Sequence, residues 1–305
     1  MSALDSVHLV AFVAVVEEGS FEAAARRLHL TPSAVSQRIK ALESRLGQVL
    51  VRRSRPSRAT DAGQVLIRLA RQRALLDSEA FAEIAGETVG EPVGGAASPR
   101  IPVAVNADSL STWFLPALAA LPPEPVATFD IHQEDQDHSV ALLRNGSVMA
   151  AVTAAADPVQ GCRVEPLGAM RYLAVASPHF HRRHLADGPT AEALATAPML
   201  VFNRKDALQQ RFVEALVGRR LEPPVTYLPS SQGFVEAARL GLGWGMVPAQ
   251  LAGPAVQGGD LLEIAPGRAL DVPLYWQRWR LDSAALARLT AAVKSTAAEA
   301  LDIRP

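Results

Sequence analysis

The stretch SFEAAARRLHLTPSAVSQRIKALESRLG, residues 20–47, decides the fold of the N-terminal part of the chain. Ser20 is a preferred residue for the start of a helix, and apolar residues follow it at helical spacing up to Leu28. After a short turn, Thr31 caps a second helix, and Pro32 occupies its first position, where the missing N–H costs nothing. The apolar stripe of this second helix leaves a polar outer face, made of Ser33, Ser36, Gln37, Arg38 and Lys40. The pattern predicts a helix-turn-helix whose second helix reads DNA; the alternative is a helical hairpin with a solvated charged face.

The flanking segments extend this pattern. A helix is predicted over about Ser6–Glu18, and 48–53 (QVLVRR) reads as a short strand. The following basic loop, 52–58, contains four arginines in seven residues and predicts a wing that contacts phosphates or the minor groove. A solvated charged turn is the alternative for this loop.

The charge distribution separates a basic head from an acidic body. Residues 1–73 contain twelve Arg or Lys and six acids, a net charge of +6, so the remainder carries −7 in a chain of net charge −1. A polyanion partner is therefore expected for the head alone. The length of 305 residues favours about two domains, and 49% hydrophobic residues indicate a folded protein.

Localisation follows from what the sequence lacks. No apolar run approaches the roughly 20 residues of a membrane span, and no secretory signal precedes the first helix. The single cysteine, Cys162, fits a reducing compartment. We expect a cytoplasmic protein without membrane contact.

A long helix is predicted from Thr60 to about 85, because apolar residues recur in threes and fours along it. Its narrow stripe predicts a dimerisation helix that pairs with a second copy; packing against the chain's own C-terminal domain is the competing interpretation. Residues 86–100, rich in Gly, Pro and Ser, predict a flexible linker.

The rest of the chain alternates short apolar runs with helical segments. The predicted strands are 101–105, 126–131, 149–153, 172–177, 199–202, 225–228, 245–248 and 272–276. This alternation favours a mostly parallel α/β sheet with covered faces. Ligands of such sheets bind outside the carboxyl ends of the strands, so the loops 105–113, 133–139, 202–206 and 229–234 are the candidate site.

These loops together suit a zwitterion. The helix start at Ser109, Ser111 and Thr112 favours a carboxylate. An ammonium group is expected among Asp108, Glu134, Asp135 and Asp137. Each loop alone is also explained as an ordinary helix cap or a solvated charge run.

Other chemistry has little support. The histidines of 179–184 (HFHRRH) match no standard zinc spacing, and the adjacent arginines oppose a cation. GLGWG (241–245) lacks the lysine of a phosphate-binding loop, and no nucleophile–base motif is present. We expect no cofactor, no metal and no catalytic residues.

Residues 12–47, the wing VLVRRS and the segment ATDAG resemble the winged helix-turn-helix of LysR-type transcriptional regulators. The rest is similar to the effector domain of that family. VNADSLSTW, EDQDHS, GCRVEPLGAMRYLAVASP and VPLYWQ look like its LysG/ArgP branch, whose members sense basic amino acids and control genes for their export or for arginine handling. The Gly/Pro linker at 86–100 departs from the family pattern.

The resemblance implies an α/β fold: an N-terminal winged helix-turn-helix with a long linker helix, then a two-subdomain α/β effector domain of periplasmic-binding-protein type. The implied domains are a DNA-binding head (1–59), a linker and dimerisation helix (60–85), the flexible linker (86–100) and an effector domain (101–305). Subdomain I comprises about 101–170 and 270–305, and subdomain II about 171–269.

The predicted site residues combine this resemblance with the patterns above. DNA contacts are expected from Thr31, Pro32, Ser33, Ser36, Gln37, Arg38, Lys40, Arg52 and Arg53. Effector contacts are expected from Asn106, Asp108, Ser109, Ser111, Thr112, Glu134, Asp135, Phe202, Asn203, Arg204 and Ser231.

The predicted function is sequence-specific transcription regulation, switched by a basic amino acid (lysine, arginine or histidine). The expected partners are a double-stranded DNA operator, further copies in a homodimer or tetramer, and RNA polymerase. Three alternatives stay open: a LysR-type regulator of another carboxylate-bearing effector, a nucleoid-associated architectural protein, and an enzyme that carries a DNA-binding module.

Overall fold

The structure is a computed structural model that describes residues 5–85, 100–123, 127–134 and 136–301. Apart from Arg100, the predicted linker 86–100 lies outside the described residues, and so does Asp135. In the described ranges, no helix combines the length and hydropathy needed for a bilayer span.

The N-terminal head contains three helices and one hairpin: α1 Ser6–Glu18, α2 Phe21–Arg27, α3 Pro32–Leu46, β1 Val51–Arg52 and β2 Arg58–Ala59. The predicted caps are formed, since Ser20 Oγ accepts from the Ala23 N–H at 3.0 Å and Thr31 Oγ1 from the Ala34 N–H at 3.2 Å. The apolar stripes meet in one core that includes Phe12, Val15, Ala24, Ala25, Val35, Ile39 and Leu42. The predicted winged helix-turn-helix is confirmed.

A 25-residue helix, α4 (Asp61–Ala85), connects head and body. Its first half packs into the head core through Leu66 and Ile67, whereas Leu75 is buried in the body core. The opposite side stays exposed: Val65, Leu69, Leu76, Phe81 and Ile84. The helix therefore packs against its own body, as the competing interpretation held, and pairing of the exposed stripe with a second copy stays a prediction.

The body begins with an α/β unit. Its elements are β3 Arg100–Val105, α5 Ala107–Ser109, a π-helical turn Leu110–Phe114, α6 Leu115–Ala119, β4 Thr128–Gln133, α7 Gln136–Asn145 and β5 Ala150–Thr153. A long strand, β6 Cys162–Ala176, then leads into a second unit.

The second unit returns to the first through another long strand. Its elements are α8 Pro178–His184, α9 Ala191–Thr196, β7 Met199–Val201, α10 Leu208–Val217, β8 Val225–Tyr227, α11 Ser231–Arg239, β9 Gly245–Pro248, α12 Ala249–Gln257 and β10 Leu262–Glu263. The returning strand is β11 Leu270–Trp279, and α13 Ala284–Ala300 covers the first unit.

The main sheet is mixed rather than mostly parallel, so that expectation is wrong. Its order is β10-β6-β11-β5-β3-β4 with β9 also on β6, while β7 and β8 form a separate parallel pair. β3 is parallel to β4 and β5, but β6 and β11 are antiparallel to each other, from Leu270↔Tyr172 to Trp279↔Cys162. The reason is that the chain crosses between the two units once in each direction, and two such crossing strands must run antiparallel when they pair.

Candidate functional site

The first site is the polar surface of α3. Thr31, Pro32, Ser33, Gln37 and Lys40 are exposed, and positions 33, 37 and 40 lie on one face of the helix because they are three or four residues apart. Ser36 and Arg38 are half-buried beside this face. Since Val35, Ile39 and Leu42 hold the opposite face in the core, the polar side chains are presented on a rigid element.

The wing lies against the same surface. The Arg53 guanidinium stacks over the Phe21 ring at 4.8 Å, and its Nη2 donates to Ser36 Oγ at 3.5 Å. Arg52 and Arg58 are cross-strand partners and both are exposed. Like charges opposite each other repel, which suits a hairpin that meets phosphates. The structure thus brings the predicted α3 and wing residues into one basic surface.

The second site is a cavity of about 390 Å³ in the body. It lies between the crossing strands and the loops that follow β3, β4 and β7, at the carboxyl ends of the strands as the sequence predicts. Its apolar wall comprises Phe202, Phe234, Met246 and Val272.

One carboxylate is anchored in this cavity by side chains from two other elements. The Tyr172 hydroxyl, on β6, donates to Asp108 Oδ2 at 2.6 Å, and the Ser231 hydroxyl, at the start of α11, donates to Asp108 Oδ1 at 2.6 Å. A carboxylate accepts about four hydrogen bonds, so each oxygen of Asp108 retains a free acceptor position. Asp108 is therefore oriented toward a ligand donor without being saturated.

The cavity holds the Asp108 carboxyl in an environment that disfavours its charge. Burial raises the pKa of Asp108, the hydrogen bonds from Ser231 and Tyr172 lower it in part, and the nearby charge of Asp206 raises it further. Burial and the charge of Asp108 also raise the pKa of Tyr172 well above its ordinary value, so the phenol stays protonated and donates. A cationic ligand would stabilise the ionised carboxylate.

A second carboxylate closes the loop after β7. Asp206 Oδ2 accepts from the Phe202 N–H at 3.1 Å, and its Oδ1 accepts from the Leu208 N–H at 2.9 Å. Among the described lining residues, three acids (Asp108, Glu134, Asp206) face two bases (Lys205, Arg211). With Asp108 ionised, as beside a cationic ligand, the lining carries an excess of one negative charge.

Two buried amides in the lining have unpaired atoms. Within the described part of the chain, Asn106 Nδ2 and Gln209 Oε1 have no hydrogen-bond partner, although Asn106 Oδ1 accepts from the Ser109 N–H at 2.7 Å. Buried polar atoms are usually paired, so these two atoms are available to a ligand as donor and acceptor.

The predicted effector residues divide into three groups. Six line the cavity: Asn106, Asp108, Glu134, Phe202, Asn203 and Ser231. Four do not: Ser109 is fully buried, Ser111 is outside the lining, Thr112 Oγ1 donates to the Asp108 carbonyl, and Arg204 lies over the Tyr227 ring. An effector contact from these four stays a prediction that the cavity geometry does not support. The last, Asp135, lies outside the described residues.

Sequence reasoning missed Tyr172, Asp206, Gln209 and Arg211 as lining residues. Tyr172 lies inside a predicted strand, and nothing local indicates which face of that strand meets the cavity. Asp206 closes the predicted loop 202–206, so an acidic residue at the end of a loop was an available signal.

Two family models match the chain. The bacterial regulatory helix-turn-helix protein model of the lysR family matches residues 7–64, and the LysR substrate binding domain model matches residues 94–298. The transcriptional regulator LysG of Mycobacterium tuberculosis is 52% identical over 294 residues, which are 96% of this chain and 94% of the relative.

Two solved structures are similar along the whole chain. The crystal structure of ArgP from Mycobacterium tuberculosis has a TM-score of 0.88 and 50% identity, with 99% of this chain and 100% of that chain covered. Full-length LysG from Corynebacterium glutamicum with the effector Arg bound has a TM-score of 0.78 and 42% identity, with coverages of 98% and 100%. The chain belongs to the LysR family of DNA-binding transcriptional regulators.

Proposed function

We propose that this regulator is switched by a basic amino acid, lysine, arginine or histidine, and controls genes for amino-acid export or related functions. The main observation in support of this proposal is the Asp108 carboxylate, which Tyr172 and Ser231 hold in a cavity of about 390 Å³. The excess of one negative charge in the described lining complements the net charge of +1 of lysine or arginine. A relative of 42% identity has Arg as its bound effector, which supports the same ligand class.

The proposed contacts follow from the lining. A positive group of the effector pairs with Asp108, with Glu134 and Asp206 adding to the negative potential. Its carboxylate accepts from Asn106 Nδ2 and from the cationic side chains of the lining, and its methylene groups pack on Phe202 and Phe234. Because the walls belong to both units and to the crossing strands, ligand binding favours the arrangement in which the units close around it.

In the proposed DNA complex, affinity comes mainly from neutralisation of phosphates by the basic head, so binding weakens steeply with salt. Ser33, Ser36 and Gln37 contact base edges, and Arg52 and Arg53 contact the backbone or the minor groove. Further contacts to the DNA come from Thr31, Pro32, Arg38 and Lys40. The exposed stripe of α4 pairs with a second copy, giving a homodimer or tetramer on a dyad-symmetric operator. The protein acts in the cytoplasm, together with RNA polymerase, and performs no catalysis.

Isothermal titration of the full chain with L-arginine, L-lysine and L-histidine tests the effector, and L-citrulline, the neutral isostere of arginine, is the control. We expect binding of at least one basic amino acid, and binding of citrulline at least about 30-fold weaker because a buried charge pair is lost. Equal affinity for arginine and citrulline would refute the role of the charge. Fluorescence anisotropy with duplex DNA then tests whether the ligand changes operator binding more than random-DNA binding.

A further inference from the structure

A second recess in the body is basic, in contrast to the acidic effector cavity. It is a groove of about 660 Å³ between the ends of β6 and β11 and the helix α13. Its charged lining comprises Arg163, Glu165, Arg278, Arg280 and Lys294. No residue lines both the groove and the effector cavity, so the groove is a separate site on the body.

The strand register forces like charges together in this groove. Arg163 on β6 lies directly opposite Arg278 on β11. The pair Glu165 and Trp276 lies two positions further along and therefore on the same face of the sheet. The Trp276 Nε1 donates to Thr290 Oγ1 at 3.1 Å, so this is the face that α13 covers. Two arginines directly opposite each other are unfavourable in an antiparallel pair unless a negative charge lies between or beside them.

The protein supplies only part of that negative charge. Glu165 pairs with Lys294 at 2.6 Å and with Arg278 at 3.7 Å, so one carboxylate faces four cations. The Arg278 side chain is only 15% exposed, and its Nε, which lies 3.7 Å from Glu165 Oε1, has an ion-pair partner but no hydrogen bond among the residues that the structure describes. Arg280 Nε donates to the Cys162 carbonyl at 3.0 Å, which fixes this guanidinium at the rim.

No other group in the lining offsets the remaining charge. Burial raises the pKa of the Cys162 thiol to about 11, so this side chain is neutral at physiological pH. In the described ranges, no carboxylate forms an ion pair with Arg163 or Arg280. The four cations and one carboxylate of the lining therefore leave an excess of three positive charges, and the Arg278 guanidinium among the cations is mostly removed from water.

We propose that this groove is a second ligand site, which binds a small phosphate-bearing anion. Guanidinium groups bind phosphate oxygens with paired hydrogen bonds, and a phosphate dianion offsets more of the excess charge than a single carboxylate does. Its oxygens accept from Arg163 and from Lys294, and the mostly buried guanidinium of Arg278 adds positive charge beside them. The source is free phosphate or the phosphate group of a small metabolite, since both present the same oxygens.

The test is a titration of the full chain with inorganic phosphate, in which a thermal-shift assay measures the melting temperature and calorimetry measures binding. Chloride at matched ionic strength corrects for general screening. We expect phosphate to raise the melting temperature and bind saturably, and chloride to do neither. Equal responses to the two salts would overturn the proposal.

The variant for this test is R163Q/K294Q, because both side chains are exposed enough for the fold to tolerate the change. R182Q, which removes an exposed arginine on α8, is the matched control. We expect phosphate affinity to fall at least about tenfold in the double variant and to stay unchanged in R182Q. Unchanged affinity in the double variant would refute the site.

Further arms identify the source of the phosphate. Tighter binding of AMP or a sugar phosphate than of free phosphate, lost in R163Q/K294Q, would assign a phosphorylated metabolite. Binding of free phosphate alone would assign the inorganic ion. If R163Q/K294Q lost binding of random duplex DNA and not of a small anion, the small-anion proposal would be wrong. The result is independent of whether a basic amino acid occupies the other cavity.

Discussion

The proposed DNA-binding surface and the proposed effector cavity are built in opposite ways. The residues of the head surface all lie between Thr31 and Arg58, on α3 and the wing, and most are exposed. The cavity joins Asp108, Tyr172, Asp206 and Ser231, which come from four separate parts of the chain and are half-buried or buried. A substitution among the exposed side chains of the head surface can change DNA binding without changing the fold. In the cavity, by contrast, the side chains proposed to position Asp108 for the ligand also determine the pKa of Asp108.

The strongest test of this contrast is Asp108→Asn. We expect arginine or lysine affinity to fall about 30-fold to more than 1,000-fold, because the variant leaves a ligand cation without its buried counter-charge. Calorimetry on the full chain measures the loss. Glu236→Gln, an exposed acid on α11 that pairs with Arg239, is the matched control and should bind normally. Affinity within threefold of the parent would remove Asp108 from the site.

On the head, Gln37→Ala should weaken binding to a selected operator about 5-fold to 150-fold and leave random-DNA binding nearly unchanged, because one good base contact is worth about 1–3 kcal/mol. The melting temperature should not change, since Gln37 is exposed. Anisotropy on duplexes obtained by in vitro selection measures both affinities, with Gln48→Ala as the exposed control. Equal loss on operator and random DNA would favour an architectural protein over a specific regulator.

Arg71 tests whether head and body are coupled. Its Nη1 donates to the carbonyls of Gly146 at 2.7 Å and Ser147 at 2.6 Å, and its Nη2 lies 3.5 Å from Glu17 in the head. We expect Arg71→Gln to cost about 1–3 kcal/mol of stability, to preserve effector affinity and to reduce the effect of the effector on DNA binding.

The control for this variant lies on the same helix. Arg73 is half-exposed and pairs only weakly with Asp77, at 3.7 Å, so Arg73→Gln should retain the response. Thermal melts and anisotropy with and without arginine give the three readouts. A full effector response in Arg71→Gln would show that this contact does not transmit the signal.

The smallest expected effect is a shift in pH dependence. Protonation of Asp108 competes with a cationic ligand, so affinity should decline as pH falls through the raised pKa of this carboxyl. Tyr172→Phe removes a hydrogen bond that lowers this pKa, so the decline should begin at a higher pH. Calorimetry at several pH values measures both profiles. The same profile in Asp108→Asn would assign the titration to another group.

The sequence predicts the head almost completely because its information is local. Ser20, Thr31 and Pro32 mark helix starts, and the apolar spacing identifies the buried face, so each element follows from a few neighbouring residues. In the body, the eight predicted strands are present. The prediction of a mostly parallel sheet was wrong for the two crossing strands, β6 and β11, because pairing between distant segments leaves no local signal.

Of the cavity lining, the sequence could predict only the residues in or next to the loops that follow strands. Asn106, Asp108 and Ser231 belong to strand-to-helix turns, which position alone identifies. Tyr172 belongs to a strand whose cavity-facing side depends on its register with β9 and β11. Ser109 shows the opposite limit, since a polar residue at a helix start can be turned fully into the protein.

The attachment of α4 has a mechanical consequence. Arg71, Leu75 and Glu79 recur every fourth residue and hold one side of the helix on the body, where Glu79 accepts from the Ser283 hydroxyl and the Ala285 N–H. The other end is embedded in the head through Leu66 and Ile67. The part of the helix from Leu75 back to Asp61 is about 21 Å long and acts as a lever arm, so a tilt of about 10° at the body attachment moves its head end by about 4 Å. That displacement is close to the axial length of one base pair, so a small rotation of the body would shift the head along the DNA.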